Sequence, residues 1–359
     1  MGATTSVSQW IHYLQHEILG GFRQALIGAL GLFSLAMAEA RSCQSGRLAS
    51  AARSPALPAS RRRRWERLLA NRHFDSAAVQ QALGRALAQR WVAPQALVLL
   101  DETACGDRLR CLKVSLAYRK RAVPLAWACY RRGPRGGQPR LVQRLLQRAA
   151  RALPPTTQLV VLADRGLAWP SLVDLCQRHG WSYLVRLQGP TRLRRADGAE
   201  RAVADLCPRP GAPAWCGTAE VFKKAGWRTG QVIAQWPRGQ RAPWLLLTDQ
   251  SACQGRWRQY ARRMWIEESF RDEKSQGFDW GRSRLRAAAR ADRLLAVLAL
   301  ALLLAVSLGG WLIKRGYRHE FDPRRRRRLS VFQLGLLALS NVLNGLRPNW
   351  PLQLYFCPS

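Results

Sequence analysis

Residues 96–101 read ALVLLD and residues 158–164 read QLVVLAD: two continuous apolar runs, each closed by an acid. Apolar runs of this length without alternation belong to strands buried on both faces. Working outward, residues 109–118 and 123–130 read as two further strands. Residues 141–153 form a helical pattern with Arg144, Arg148 and Arg151 on its exposed side. A helix over 171–179 and a strand over 181–187 (WSYLVRL) follow. Three strands, a helix, a strand, a helix and a strand predict an α/β fold: a mixed sheet covered by helices.

The flanks differ from this core. Residues 10–39 carry apolar positions at helical spacing, among them Ile11, Leu14, Ile18, Phe22 and Leu26, and predict one helix. A Ser/Ala/Pro-rich stretch, 42–60, reads as a joint, followed by the run Arg61 to Arg64 and a helix over 76–89. A basic helical module ahead of a core suits DNA recognition, and equally a solvated charged face. Residues 190–249 are rich in Gly and Pro, with strand-like pieces at 230–236 and 244–248, and read as a β-rich insertion. Helix returns over 255–274. Residues 294–313 (LLAVLALALLLAVSLGGWLI) are almost wholly apolar, and the reading favoured here is a helix buried on all sides rather than a bilayer span. An arginine run, 324–328, precedes a last amphipathic helix over 330–346. The organisation expected is a helical DNA-binding module over 1–95, a core over 96–189, an insertion over 190–250, core helices over 251–320 and a helical tail over 321–359.

Composition narrows the partners. The chain has 359 residues, 48% of them hydrophobic, with 58 Lys+Arg against 22 Asp+Glu, a formal net charge of +36. Such an excess disfavours a free metabolic enzyme and favours a polyanionic partner. The basic residues are nearly all Arg; the lysines are Lys113, Lys120, Lys223, Lys224, Lys274 and Lys314. Nine scattered cysteines without a CxxC pair argue against a zinc site or a disulfide framework and point to reduced thiols in a cytoplasm. No basic segment precedes the first apolar stretch as a secretory signal would require. The five histidines show no ligand or triad spacing, and no P-loop occurs.

The chemistry concentrates on the helix over 255–274. At about 100° per residue, Tyr260, Arg263, Glu267 and Lys274 fall at roughly 0°, 300°, 340° and 320°. One carboxylate among two cations and a phenol, within an arc about 60° wide, suits a phosphate-handling site. Glu268 lies about 100° further round, and Glu273 points to the far side. A lone carboxylate cannot hold a pair of metal ions, so Asp101 and Asp164 are its natural partners. Each ends a buried strand, where an acid is rigidly supported; either is also an ordinary strand-end or N-cap residue. Oxygen-only ligands suit Mg²⁺ or Mn²⁺, and two ions about 3.5–4 Å apart support in-line phosphoryl displacement.

Tyr260, Arg263, Glu267 and Lys274, with their spacings, resemble the Tyr–Arg–Glu–Lys signature of bacterial insertion-sequence transposases with a DDE triad, in the branch named after insertion sequence four. The surrounding segments agree: YARRMWIEESFRDEK around Glu267, VLLDET around Asp101 and LADRG around Asp164. The resemblance covers residues 96–310 and implies an RNase H-like fold with a β-rich insertion between the second Asp and the Glu. It implies that Asp101, Asp164 and Glu267 bind two Mg²⁺ (or Mn²⁺) ions. It further implies that Tyr260, Arg263 and Lys274 contact DNA phosphates, that excision passes through a hairpin, and that a tryptophan of the insertion (Trp227, Trp236 or Trp244) holds a flipped base. The partners so implied are transposon ends and target DNA, with a homodimer when ends are paired, in the cytoplasm at the nucleoid and with no membrane. The competing classes are a metal-dependent nuclease of the same fold, a DNA-binding relative without catalysis, and a membrane protein anchored by residues 294–313.

Overall fold

The protein is described by a computed structural model covering residues 2–90, 93–131, 139–251, 255–323, 325 and 327–356. Cys253, Cys357, Arg324 and Arg326 lie outside the described residues. The chain opens with five helices: α1 (Gly2–Glu17), α2 (Gln24–Ala40), α3 (Ser45–Ala51), α4 (Pro58–Ala70) and α5 (Ser76–Ala88). The single helix expected over 10–39 is therefore two. The Gly20–Gly21 pair, poor in helix propensity, falls in the break between them. The Ser/Ala/Pro-rich stretch holds α3, and the arginine run lies inside α4, where Arg62 pairs with Glu66 at 3.0 Å.

Ten strands among the described residues form one sheet in the order β3-β2-β1-β4-β5-β10-β9-β8-β6-β7. The first five are β1 (Gln95–Cys105), β2 (Leu109–Tyr118), β3 (Arg121–Arg131), β4 (Gln158–Ala163) and β5 (Ser182–Arg186). β1, β4 and β5 run parallel, and β2 and β3 continue antiparallel from β1, an RNase H-like core. Helices α6 (Pro139–Ala152) and α7 (Pro170–Arg178) make the crossovers. On α6, Arg144 and Arg151 are exposed as expected, but Arg148 is half-buried and donates to Gln80 Oε1 at 2.6 Å.

The insertion extends the same sheet. It supplies β6 (Arg192–Arg194), β7 (Glu200–Ala202), β8 (Trp215–Val221), β9 (Arg228–Gln235) and β10 (Trp244–Thr248). β10 pairs antiparallel with β5, Leu247 opposite Val185, so core and insertion share backbone hydrogen bonds. The pieces β6, β7 and β8 were not anticipated; β6 and β7 have three residues each and β8 alternates partly exposed and buried positions, too little for a periodic signal.

After α8 (Arg256–Ala261) and α9 (Met264–Arg271) comes α10 (Ala288–Lys314), 27 residues long, and then α11 (Val331–Leu343). By length and hydropathy α10 could cross a bilayer, yet 89% of its most apolar window is buried inside the protein. It packs on β3 and is enclosed by α2, α4, α5 and α11. The helical N-terminal segment thus wraps the core helix instead of standing apart. The α10–α11 crossing is a backbone contact: a Cβ on Gly335 would lie 1.7 Å from the Ala305 carbonyl oxygen, and one on Gly309 would lie 1.9 Å from that of Val331. Only glycine permits that approach.

Asp292 ties α10 to the sheet. Its Oδ1 accepts from the Cys129 backbone N–H at 2.7 Å, and burial pushes its pKa up to about 6, partly offset by that hydrogen bond.

Two outcomes follow from this packing. Gly335→Ala is expected to lower stability by upward of about 3 kcal/mol in denaturant unfolding, because backbone cannot rotate out of the way. For Asp292, a carboxyl whose folded pKa is raised, its contribution is full below the unfolded value of 3.8 and is lost as pH rises through about 6. Asp292→Asn keeps an acceptor for Cys129 and removes the charge. It is expected to gain about 1–3 kcal/mol over the wild type above about pH 7, a gain that shrinks toward about pH 4.

Candidate active site

Parallel pairing of β1 with β4 sets Leu100 beside Ala163, so the next residues, Asp101 and Asp164, emerge side by side. Alternation decides their face. Leu97 and Leu99 on β1 and Val160 and Leu162 on β4 pack in the smaller apolar cluster with Tyr260, Ile266 and Phe270 of the helices above. Asp101 and Asp164 continue that set and therefore face α8 and α9. Asp101 is not at a strand tip, as the sequence implied. β1 runs on to Cys105 against β2, and Asp101 stands where β4 ends and the sheet narrows.

The helix expected over 255–274 is interrupted twice. Arg263 N–H bonds the Tyr260 carbonyl at 2.8 Å, and Ile266 N–H bonds that of Arg263 at 3.1 Å: a tightened turn between α8 and α9. Residues Asp272–Gln276 then form a π-turn, a widening common at functional sites. The two irregularities leave all four side chains of the stripe on the sheet side. Tyr260 OH donates to Asp164 Oδ1 at 3.4 Å. Arg263 Nη1 donates to Asp101 Oδ2 at 3.1 Å, and its Nη2 bonds Glu267 Oε1. Lys274 Nζ donates to Thr103 Oγ1 at 2.6 Å.

Charge and burial are strongly graded across this cluster. The Arg263 side chain is 5% exposed, that of Asp101 18% and that of Glu267 42%. Burial pushes the Asp101 pKa up to about 6; the Arg263 charge and the Glu102 N–H pull it down, and Asp164 and Glu267 add to the rise. Burial opposes the Arg263 cation, but Tyr260, Asp101, Asp164 and the bond to Glu267 outweigh it and raise its pKa. Desolvation raises the Tyr260 phenol and lowers the Lys274 ammonium. Tyr260 and Arg263 are thus buried cross-links among the carboxylates; they are not displayed to solvent.

Among the described residues, no three His, Cys, Asp or Glu side chains already surround one point as a metal cage. The position between Asp101 and Glu267 is held by the Arg263 guanidinium. The donor chemistry still fits a hard divalent cation. All three acids are oxygen donors, and Asp101 is buried beside two like charges that a cation would relieve.

Two buried ion pairs, missed by the sequence reading, seat the π-turn. Asp272 pairs with Arg121 of β3 and Glu273 with Lys113 of β2, every partner at least nine-tenths buried. Lys113, directly opposite Asp101 in the register, also lies over the Phe270 and Trp280 rings at 5.6 and 5.1 Å. An isolated lysine inside an apolar strand of an arginine-rich chain was the available signal. The three tryptophans separate clearly. Trp244 packs edge-on against Trp257 and Tyr260 as a buttress, and Arg194 covers Trp227 at 4.8 Å. Trp236 lines a cavity of about 420 Å³ together with Arg165, Arg186 and Leu245.

A family model for the transposase DDE domain matches residues 101–304, beginning at Asp101 and including Asp164 and Glu267. That match defines the class as an enzyme that acts on nucleic acid. Within it, the chain belongs to the DDE-domain transposase family. No curated protein matches it. Among solved structures, it is similar to a chain of the cryo-EM piggyBac transposase synaptic complex with hairpin DNA, at 10% identity and a TM-score of 0.47, covering 97% of this chain and 80% of that one.

The ion pairs beneath the site give a test of what seats it. Lys113→Met alone strands Glu273 as a buried charge and is expected to cost about 3–5 kcal/mol in unfolding. The double change Lys113→Met, Glu273→Met is expected to recover most of that loss. A double variant as unstable as the single one would refute the pairing.

Proposed function

We propose that the chain is a cut-and-paste DNA transposase of the bacterial insertion-sequence type, in the Tyr–Arg–Glu–Lys branch. The observation that carries the reading is the convergence of Asp101, Asp164 and Glu267 on one face, linked by Tyr260 and Arg263. The positive surface supports a DNA partner, since 58 basic residues face 22 acidic ones.

Asp101, Asp164 and Glu267 would hold two Mg²⁺ or Mn²⁺ ions, which supply charge stabilisation for the entering and leaving oxygens of a phosphodiester. Asp101 and Asp164 project from the sheet, whereas Glu267 rides on α9 at the solvent edge of the site. Tyr260 orients Asp164, and Lys274, held by Thr103, offers its ammonium to the backbone near the cut. Water attack at the element end leaves a 3′-OH. That hydroxyl attacks the opposite strand to close a hairpin, water reopens it, and the freed 3′-OH joins target DNA. Every step is an in-line displacement, so one site serves all four. Of the insertion tryptophans, Trp236 is the one on an open cavity, and Arg165, beside Asp164, shares that cavity. It is the best placed to receive an unstacked base. Pairing of two ends calls for a homodimer, acting on DNA in the cytoplasm.

The decisive comparison is Glu267→Gln against Glu268→Gln, with Mg²⁺ and DNA carrying the element ends. Glu268 pairs with Arg271 at 3.0 Å and faces away from the acids. Glu267→Gln is expected to bind DNA and lose cleavage; Glu268→Gln is expected to keep substantial cleavage. Equal loss in both would remove Glu267 from the site.

A further inference from the structure

We propose that Arg263 is a latch that occupies the cation position of the triad until a DNA phosphate draws it away, so that metal loading is coupled to DNA binding. The inference rests on the functional reading above and concerns how that site is kept idle. Three observations carry it. First, the guanidinium bridges Asp101 on the sheet and Glu267 on α9. Second, the residue is 4% exposed, and Arg remains charged under all ordinary conditions. Third, its Nε is buried with no hydrogen-bond partner among the described residues.

The third observation shows that the carboxylates do not satisfy this side chain. A buried N–H without an acceptor is costly, and the fork spends its other contacts singly, on Asp101, on Glu267 and, through Nη2 at 3.2 Å, on the weak acceptor Met264 Sδ. A phosphodiester can bind the Nε edge and an Nη together, the bidentate geometry that arginine favours. A phosphate reaching Nε therefore competes with Glu267 for the same fork. While the guanidinium stays between the acids, it neutralises part of their charge and repels a second cation at close range. Once a phosphate takes the guanidinium, both effects are relieved and Asp101 and Glu267 are free to bind metal. Coupling of this kind is reciprocal: DNA tightens metal binding by the factor by which metal tightens DNA binding.

The test reads Mn²⁺ binding by electron paramagnetic resonance on the full chain, with and without a short duplex at low salt, and with Mn²⁺ bound by duplex alone subtracted. Without DNA, Arg263→Gln is expected to bind Mn²⁺ about tenfold tighter than the wild type, and the charge-retaining Arg263→Lys to stay close to wild type. Duplex is expected to tighten Mn²⁺ binding to the wild type by about tenfold and to leave Arg263→Gln nearly unchanged. Equal or weaker binding by a folded Arg263→Gln overturns the latch. If that variant does not fold, the wild-type pair decides: unchanged affinity on adding duplex overturns the proposal. Mn²⁺ binding that ignores DNA sinks the latch alone; no Mn²⁺ bound in any arm sinks the triad reading as well.

Discussion

Side chains alternate across a strand, so the parallel pairing of Leu100 with Ala163 determines what lies beyond it. Asp101 and Asp164 must appear side by side, on the face covered by α8 and α9. A register slip of one residue would turn one acid to the other face and destroy the site. The apolar runs that hold the register, residues 96–100 and 159–163, are buried on both sides, which makes slippage expensive. Everything else in the site is arranged to meet those two acids from above.

Meeting them required departures from regular helix. A straight α-helix from Arg256 to Lys274 would not let Asp272 and Glu273 both reach cations in the sheet while Lys274 reaches Thr103. The tightened turn at Arg263 and the π-turn at Asp272–Gln276 together provide that freedom. The ion pairs with Arg121 and Lys113 then hold the irregular segment down. Local rules fail here because the site needs a geometry that regular helix does not offer.

The apolar helix α10 has a different role. Its neighbours α2, α4, α5 and α11 cover what would otherwise be a very large exposed apolar surface. At Gly309 and Gly335 the covering is so close that backbone meets backbone. The buried-helix expectation for residues 294–313 accords with this packing. The same packing draws the N-terminal helices into the core layer.

What depends on local periodicity and side-chain chemistry was legible in the order of residues alone. The runs ALVLLD and QLVVLAD located β1 and β4, the ordering of elements gave a mixed sheet, and the stripe singled out Glu267 over Glu268. What depends on contacts between distant segments came from the folded chain. It decided that β10 closes onto β5, that β1 continues past Asp101, that Arg148 binds Gln80, and that Arg263 lies between two carboxylates. It also revealed Lys113 and Arg121 as the seats of the π-turn. Apart from the i,i+4 bond of Arg263 to Glu267, each of these pairs residues dozens to more than a hundred positions apart, or turns on where a neighbouring strand ends. A spacing rule describes one helix or one strand; it carries no information about which remote side chain fills the space above it.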